Sequence, residues 1–110
     1  MDFRLYLLQR ISALIMAPLV LIHIGMMIYA VQDGLSAEEI LSRIRGAWGW
    51  AVFYGLFVVA AAVHAAIGLR VIFTEWFGVT GLTLTGFAWA TFVGLLASGA
   101  YAVVAVTVAP

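Results

Sequence analysis

Two histidines stand where ionisable side chains are costly. His23 lies in the charge-free stretch between Arg10 and Asp33, and His64 in the one between Arg45 and Arg70. Side chains of this kind inside an apolar span face the protein interior and mark functional positions by default. Imidazole in such a setting suits axial ligation of haem iron. Around His64 the neighbours are small, with Ala60 and Ala61 before it and Gly68 one turn after, which leaves clearance for a flat macrocycle. His23 has Met16, Leu19, Met26 and Met27 nearby, an apolar and adaptable setting but a less open one. The alternative for either is an imidazole that bonds a carbonyl or serine of a neighbouring helix and does no chemistry.

A second polar group gathers at one membrane face. Gln9, Arg10 and Ser12 open the first charge-free stretch, and Arg70, Thr74, Glu75 and Trp76 close the second. Two guanidinium groups, a hydroxyl and an indole N–H supply donors for haem propionates or quinone carbonyls. They also suit an ordinary interfacial anchor, with Arg70 paired to Glu75 and the indole at headgroup level.

These side chains need helices through lipid to position them. Of the 110 residues, 66% are hydrophobic and only 9% charged, and the mean hydropathy is +1.19. Soluble domains carry about 25% charged residues, and a chain this short cannot hide so much apolar surface in one core. Five arginines balance five acids, with no lysine, so nothing attracts nucleic acid. With no cysteine, thiolate and iron–sulfur ligation by this chain are excluded.

A hydrocarbon core of about 30 Å needs roughly 20 apolar residues in a helix. The charges leave three such stretches, predicting spans over about 8–31, 47–72 and 80–108 within a single membrane domain, 1–110. The expected fold is an all-α integral membrane protein of three transmembrane helices. A cleaved signal sequence is the alternative for the first span, but its apolar stretch exceeds a typical h-region and no small-x-small site follows before Asp33. Counting at about 1.5 Å per residue, His23 lies roughly 20 Å below Arg10 and His64 about 17 Å above Glu75, which puts both near mid-membrane. Between the first two spans, Ser36 and Glu39 form a capping box ahead of a short helix from about Ala37 to Arg45. Ile40, Leu41 and Ile44 on one side make it interfacial. Trp48 and Trp50 mark one aqueous boundary, Trp76 and Phe77 the other. Arg4, Arg10 and Arg70 on the N-terminal side, against Arg43 and Arg45 opposite, favour a cytoplasmic N-terminus. In the third span Gly86, Ala90, Gly94, Ser98 and Ala102 repeat every four residues, a packing seam for another helix of this chain or of a partner, the alternative being that Gly and Ala are simply abundant here.

The run HAAIGLRVIFTEW, from His64 to Trp76, resembles the second helix of the membrane anchor (cytochrome b) subunits of succinate dehydrogenase and fumarate reductase. In that family a haem-ligating histidine is followed by a glycine four residues on and an acid eleven on, positions held here by His64, Gly68 and Glu75. The quinone-contacting tyrosine of one anchor type is replaced by Trp76. The opening QRISALIM is similar to the family's Arg-x-Ser start, whose arginine lies by a haem propionate and the quinone pocket and maps to Arg10, but the family serine one turn earlier falls at Tyr6. Arg70 matches an arginine of the other anchor type, so features of both are blended.

The resemblance implies a bacterial inner-membrane subunit, or its equivalent in another energy-transducing membrane. It implies haem b at His64, with Gly68 and Arg10 beside it, and a quinone site drawing on Arg10, Ser12, Arg70, Glu75 and Trp76. His23 fits the family's two-haem arrangement, in which one or two haems are shared with a partner. The implied partners are an iron–sulfur subunit, a flavoprotein subunit and a second membrane anchor, a different chain or another copy. The chain has no flavin or iron–sulfur motif, so it would be an accessory, non-catalytic subunit of an oxidoreductase of the tricarboxylic acid cycle type. A haem-free structural anchor is the nearest alternative. A small multidrug transporter is further off, because such chains resemble four-helix proteins with a glutamate embedded in the membrane.

Overall fold

The computed structural model describes residues 3–108, all of them in helices and short connections. Three helices are long and apolar enough to cross a membrane: α1 (Phe3–Gln32), α3 (Trp48–Phe77) and α4 (Gly81–Thr107). The short α2 (Ala37–Ile44) lies between the first two. At about 1.5 Å per residue a 30-residue helix is about 45 Å long, and the molecule is 48 Å in its longest dimension. α1 and α3 thus overrun the predicted spans, mainly at the N-terminal end of α1 and the C-terminal end of α3, while α4 keeps within its own. In hydrocarbon, helix is the only way an isolated segment satisfies its own backbone.

The breaks between helices have local causes. Gly34 adopts φ 66°, its N–H reaches Val31 O at 3.1 Å, and Leu35 N–H reaches Ala30 O at 3.0 Å. This is the paired closure of a helix end that a left-handed glycine permits. Then α2 starts on the expected capping box: Glu39 N–H donates to Ser36 Oγ at 3.2 Å and Ser36 N–H to Glu39 Oε1 at 3.3 Å. Ile40, Leu41 and Ile44 are its inward residues, and the rest of it is exposed. Gly78, at φ 67°, ends α3 and begins the tight turn into α4.

α3 is the central helix, packed by α1 on one side and α4 on the other. Its buried residues are mostly small, namely Ala60, Ala62 and Ala66 with Ile67, so both neighbours approach closely. Among the glycines the tightest site is Gly99 of α4, where a β-carbon would lie 2.5 Å from Val58 Cγ1. Large side chains such as Leu14, Leu21 and Leu82 point outward, as lipid rather than water requires. The repeat Gly86–Ala90–Gly94–Ser98–Ala102 is exposed throughout and is not the seam with α3. The face that packs passes through Leu84, Ala88, Leu96, Gly99 and Thr107. Two residues of offset turn a helix by about 200°, which puts the regular repeat on the far side. A seam within this chain is therefore ruled out for it.

Candidate functional site

On α1, Ser12 and His23 are eleven residues apart and so lie about 20° apart around the helix, both facing α3. Ser12 is buried, 4% exposed. Its Oγ donates to Gln9 O at 2.9 Å and lies 3.4 Å from His64 Nδ1. One turn along, Gly68 faces Gln9, and a β-carbon there would sit 3.6 Å from Gln9 Nε2, an ordinary contact. Gln9 Oε1 is buried without a partner. Gln9, Ser12, His64 and Gly68 thus form a polar node on the α1–α3 seam. The small residues near His64 do not leave the open clearance expected of them, because Ala60 is buried within the chain and the Gln9 amide stands over Gly68.

His23 occupies a separate site further along the same seam. Its ring meets Tyr54 and Phe57 edge to face, with centroids 5.9 and 5.8 Å away. Its Nδ1 is sealed from solvent and has no partner. It borders a cavity of about 260 Å³ that also involves Met26, Ile40, Ile44 and Trp50, beneath the interfacial helix.

The two contacts, Ser12 with His64 and His23 with Tyr54, fix the register of the helices and correct the estimate of equal depth. Along α1 from Ser12 to His23, and along α3 from Tyr54 to His64, the separation is about 15–17 Å at 1.5 Å per residue. His64 is level with residues next to Arg10, while His23 is level with the first half of α3. The estimate failed because it set Glu75 level with Arg10. In fact α3 continues well past Arg70 to Phe77, so Glu75 projects further out. At this separation the two imidazoles cannot meet at one iron.

The residues expected around a quinone are only partly brought together. Arg10 and Ser12 are two positions apart and point to nearly opposite sides of α1. Arg10 is exposed, its guanidinium lying over the Tyr6 ring at 5.4 Å. Arg70 donates to Thr85 Oγ1 of α4 at 3.5 Å instead of pairing with Glu75. It is the polar residue lining an apolar groove of about 260 Å³ between α1 and α4, with Leu5, Leu8, Ile67 and Trp89 among its walls. Glu75 and Trp76 are exposed, Trp76 at 76%. Glu75 lies about 20° around α3 from His64, so His64, Gly68 and Glu75 share one stripe. Among the described residues no three His, Asp or Glu side chains cluster to hold a metal ion. Axial haem ligation asks for one imidazole per side, which is what each histidine offers.

The model of one known family, the succinate dehydrogenase/fumarate reductase transmembrane subunit, matches residues 2–109, nearly the whole chain. The chain belongs to that family. No curated protein and no solved structure matches it. The resemblance carried by QRISALIM and HAAIGLRVIFTEW therefore extends along the length of this transmembrane subunit. Three contributors to its polar sites were not singled out from the sequence. Tyr54 and Phe57 around His23 carry no local signal, because only the helix register brings them there. Thr85 had one: it stands almost as far after the Gly78 turn as Arg70 stands before it, so a tight helical hairpin makes the two adjacent.

Proposed function

We propose that this subunit is a single membrane-anchor domain that holds haem b and part of a quinone site, and passes electrons between an iron–sulfur subunit and quinone. The complex so anchored includes a flavoprotein that acts on the dicarboxylate. A second anchor, a different chain or another copy of this one, completes the sites. The membrane is the bacterial inner membrane or its energy-transducing equivalent, with the N-terminus cytoplasmic. Haem b, when bound, supplies one-electron carriage.

His64 carries the reading. It is half-buried in a charge-free span, its Nδ1 lies against Ser12 Oγ, and it shares a stripe with Gly68 and Glu75. His23, which borders the cavity beneath α2, is the candidate for a second haem site shared with the partner. Its edge contacts with Tyr54 and Phe57 are the observation that favours the other reading, a packing histidine. Arg10, Glu75 and Trp76 are exposed, so as quinone contacts they need walls from a neighbouring subunit, with Arg70 reached through the groove between α1 and α4 and the buried Ser12 acting only through His64. Membership of the family sets the transporter alternative aside.

The test is a dithionite-reduced minus oxidised spectrum of the purified complex. A b-type signal is expected, and His64→Ala is expected to abolish the signal of the haem it ligates. A haem-free complex with full quinone reductase activity would overturn the proposal.

A further inference from the structure

Ser12 has one hydroxyl proton and two neighbours. Gln9 O lies 2.9 Å from Oγ, and His64 Nδ1 lies 3.4 Å from it. Serine in a helix commonly returns its proton to a carbonyl one turn back, and the shorter contact takes it here. What Oγ then presents to His64 is a lone pair. Two lone pairs facing each other in a buried, low-dielectric seam repel, and at 4% exposure Ser12 has no solvent to relieve them. The imidazole must therefore bring the proton, and a neutral imidazole carries only one.

We infer that Ser12 is a positioning residue that holds His64 in the Nδ1–H tautomer and so keeps the lone pair on Nε2. The inference deepens the haem reading of His64, because Nε2 is then the ring nitrogen free to bind a metal. A hydrogen bond at the distal nitrogen of a ligating imidazole fixes its orientation and raises its basicity. The Gln9 carbonyl belongs to the same relay: it draws the serine proton away and leaves the hydroxyl an acceptor. Tyr6, where the family carries a serine, lies nearly two turns before Ser12 and takes no part in this contact.

The tautomer can be read without haem. The full chain, labelled with ¹⁵N-histidine and reconstituted haem-free in lipid bilayers, is measured by solid-state NMR, with His23→Phe assigning the two rings. The Nδ1–H form is expected to dominate at His64. In Ser12→Ala the Nε2–H form is expected to rise, and Ser12→Thr, which keeps the hydroxyl, is expected to restore the original pattern. A dominant Nε2–H form in the unmodified chain would overturn the inference, as would an Nδ1–H form unmoved by Ser12→Ala in a chain that keeps its helicity. In the assembled complex, Ser12→Ala is expected to weaken haem retention about 10- to 100-fold and to raise the haem midpoint potential, because a less basic imidazole favours the ferrous state. Unchanged retention and potential in that variant would also overturn it. A b-type signal undiminished in His64→Ala would instead refute the haem reading of His64 and leave the tautomer measurement standing.

Discussion

Gly99→Ala is expected to destabilise the α3–α4 hairpin by about 1–3 kcal/mol, the usual range for overpacking a close-packed contact. The magnitude follows from three distances. The new β-carbon would lie 2.5 Å from Val58 Cγ1, 3.0 Å from Cγ2 and 3.3 Å from Cβ. Turning the valine about χ1 can vacate only one of the two methyl positions, and it leaves the other methyl and Cβ close. Valine in a helix also holds one χ1 rotamer strongly. The helices must therefore move apart, and the contacts around Ala60 and Leu96 loosen with them. The assay is reversible unfolding of the chain in mixed detergent micelles, read by circular dichroism, with Val58→Ala as the second arm of a double-mutant cycle. Val58→Ala removes both methyls and leaves only the 3.3 Å neighbour, so the double variant is expected to be more stable than the sum of the single effects by about 1 kcal/mol or more. A neutral Gly99→Ala, or a strictly additive cycle, would refute the reasoning that these backbones are held together by the missing side chain.

Two other perturbations probe parts of the chain that the histidine experiments leave alone. Ser36→Ala removes the acceptor for Glu39 N–H at 3.2 Å and should cost α2 about 1 kcal/mol, seen as faster amide hydrogen exchange confined to residues 37–44; exchange unchanged there would mean that burial of Ile40 and Ile44 holds the helix without its cap. His23→Phe keeps a ring edge for Tyr54 and Phe57 and deletes the sealed nitrogen, so the isolated chain should gain about 1–3 kcal/mol in the same unfolding assay; no gain would show that Nδ1 is already satisfied.

The fold was legible because charge positions in a lipid-facing chain leave little choice. Arg10 and Asp33, or Arg45 and Arg70, bracket stretches that can only be helical spans, and Ser36 with Glu39 declared α2 by chemistry confined to four residues. The candidate site was legible as a list of residues and much less so as a geometry. Depth was counted from flanking charges, yet Glu75 extends outward on a helix that outlasts its apolar stretch, and only the contact of Ser12 with His64 fixes the level. Arg10 and Ser12 read as one cluster in sequence, but a two-residue step on a helix separates them. The spacing of Gly86, Ala90 and Gly94 gave a face without saying what it faces, because the position that meets α3, Gly99, is chosen by Val58 on the other helix. Contacts across helices depend on register, and register has no signature within a single segment.

One contact at the far end of the molecule bears on how the parts can move. Gly46 N–H donates to Thr107 O at 2.8 Å, and Thr107 is almost wholly enclosed, 1% exposed. The segment that leads into α3 is therefore clasped to the last turn of α4, while the turn at Gly78 joins the same two helices at their other end. α3 and α4 make a closed frame, fastened top and bottom. α1 is attached to that frame along one side through α3. A neighbouring subunit would meet α3 and α4 as one unit, with His64 carried on it and Ser12 set against His64 from α1.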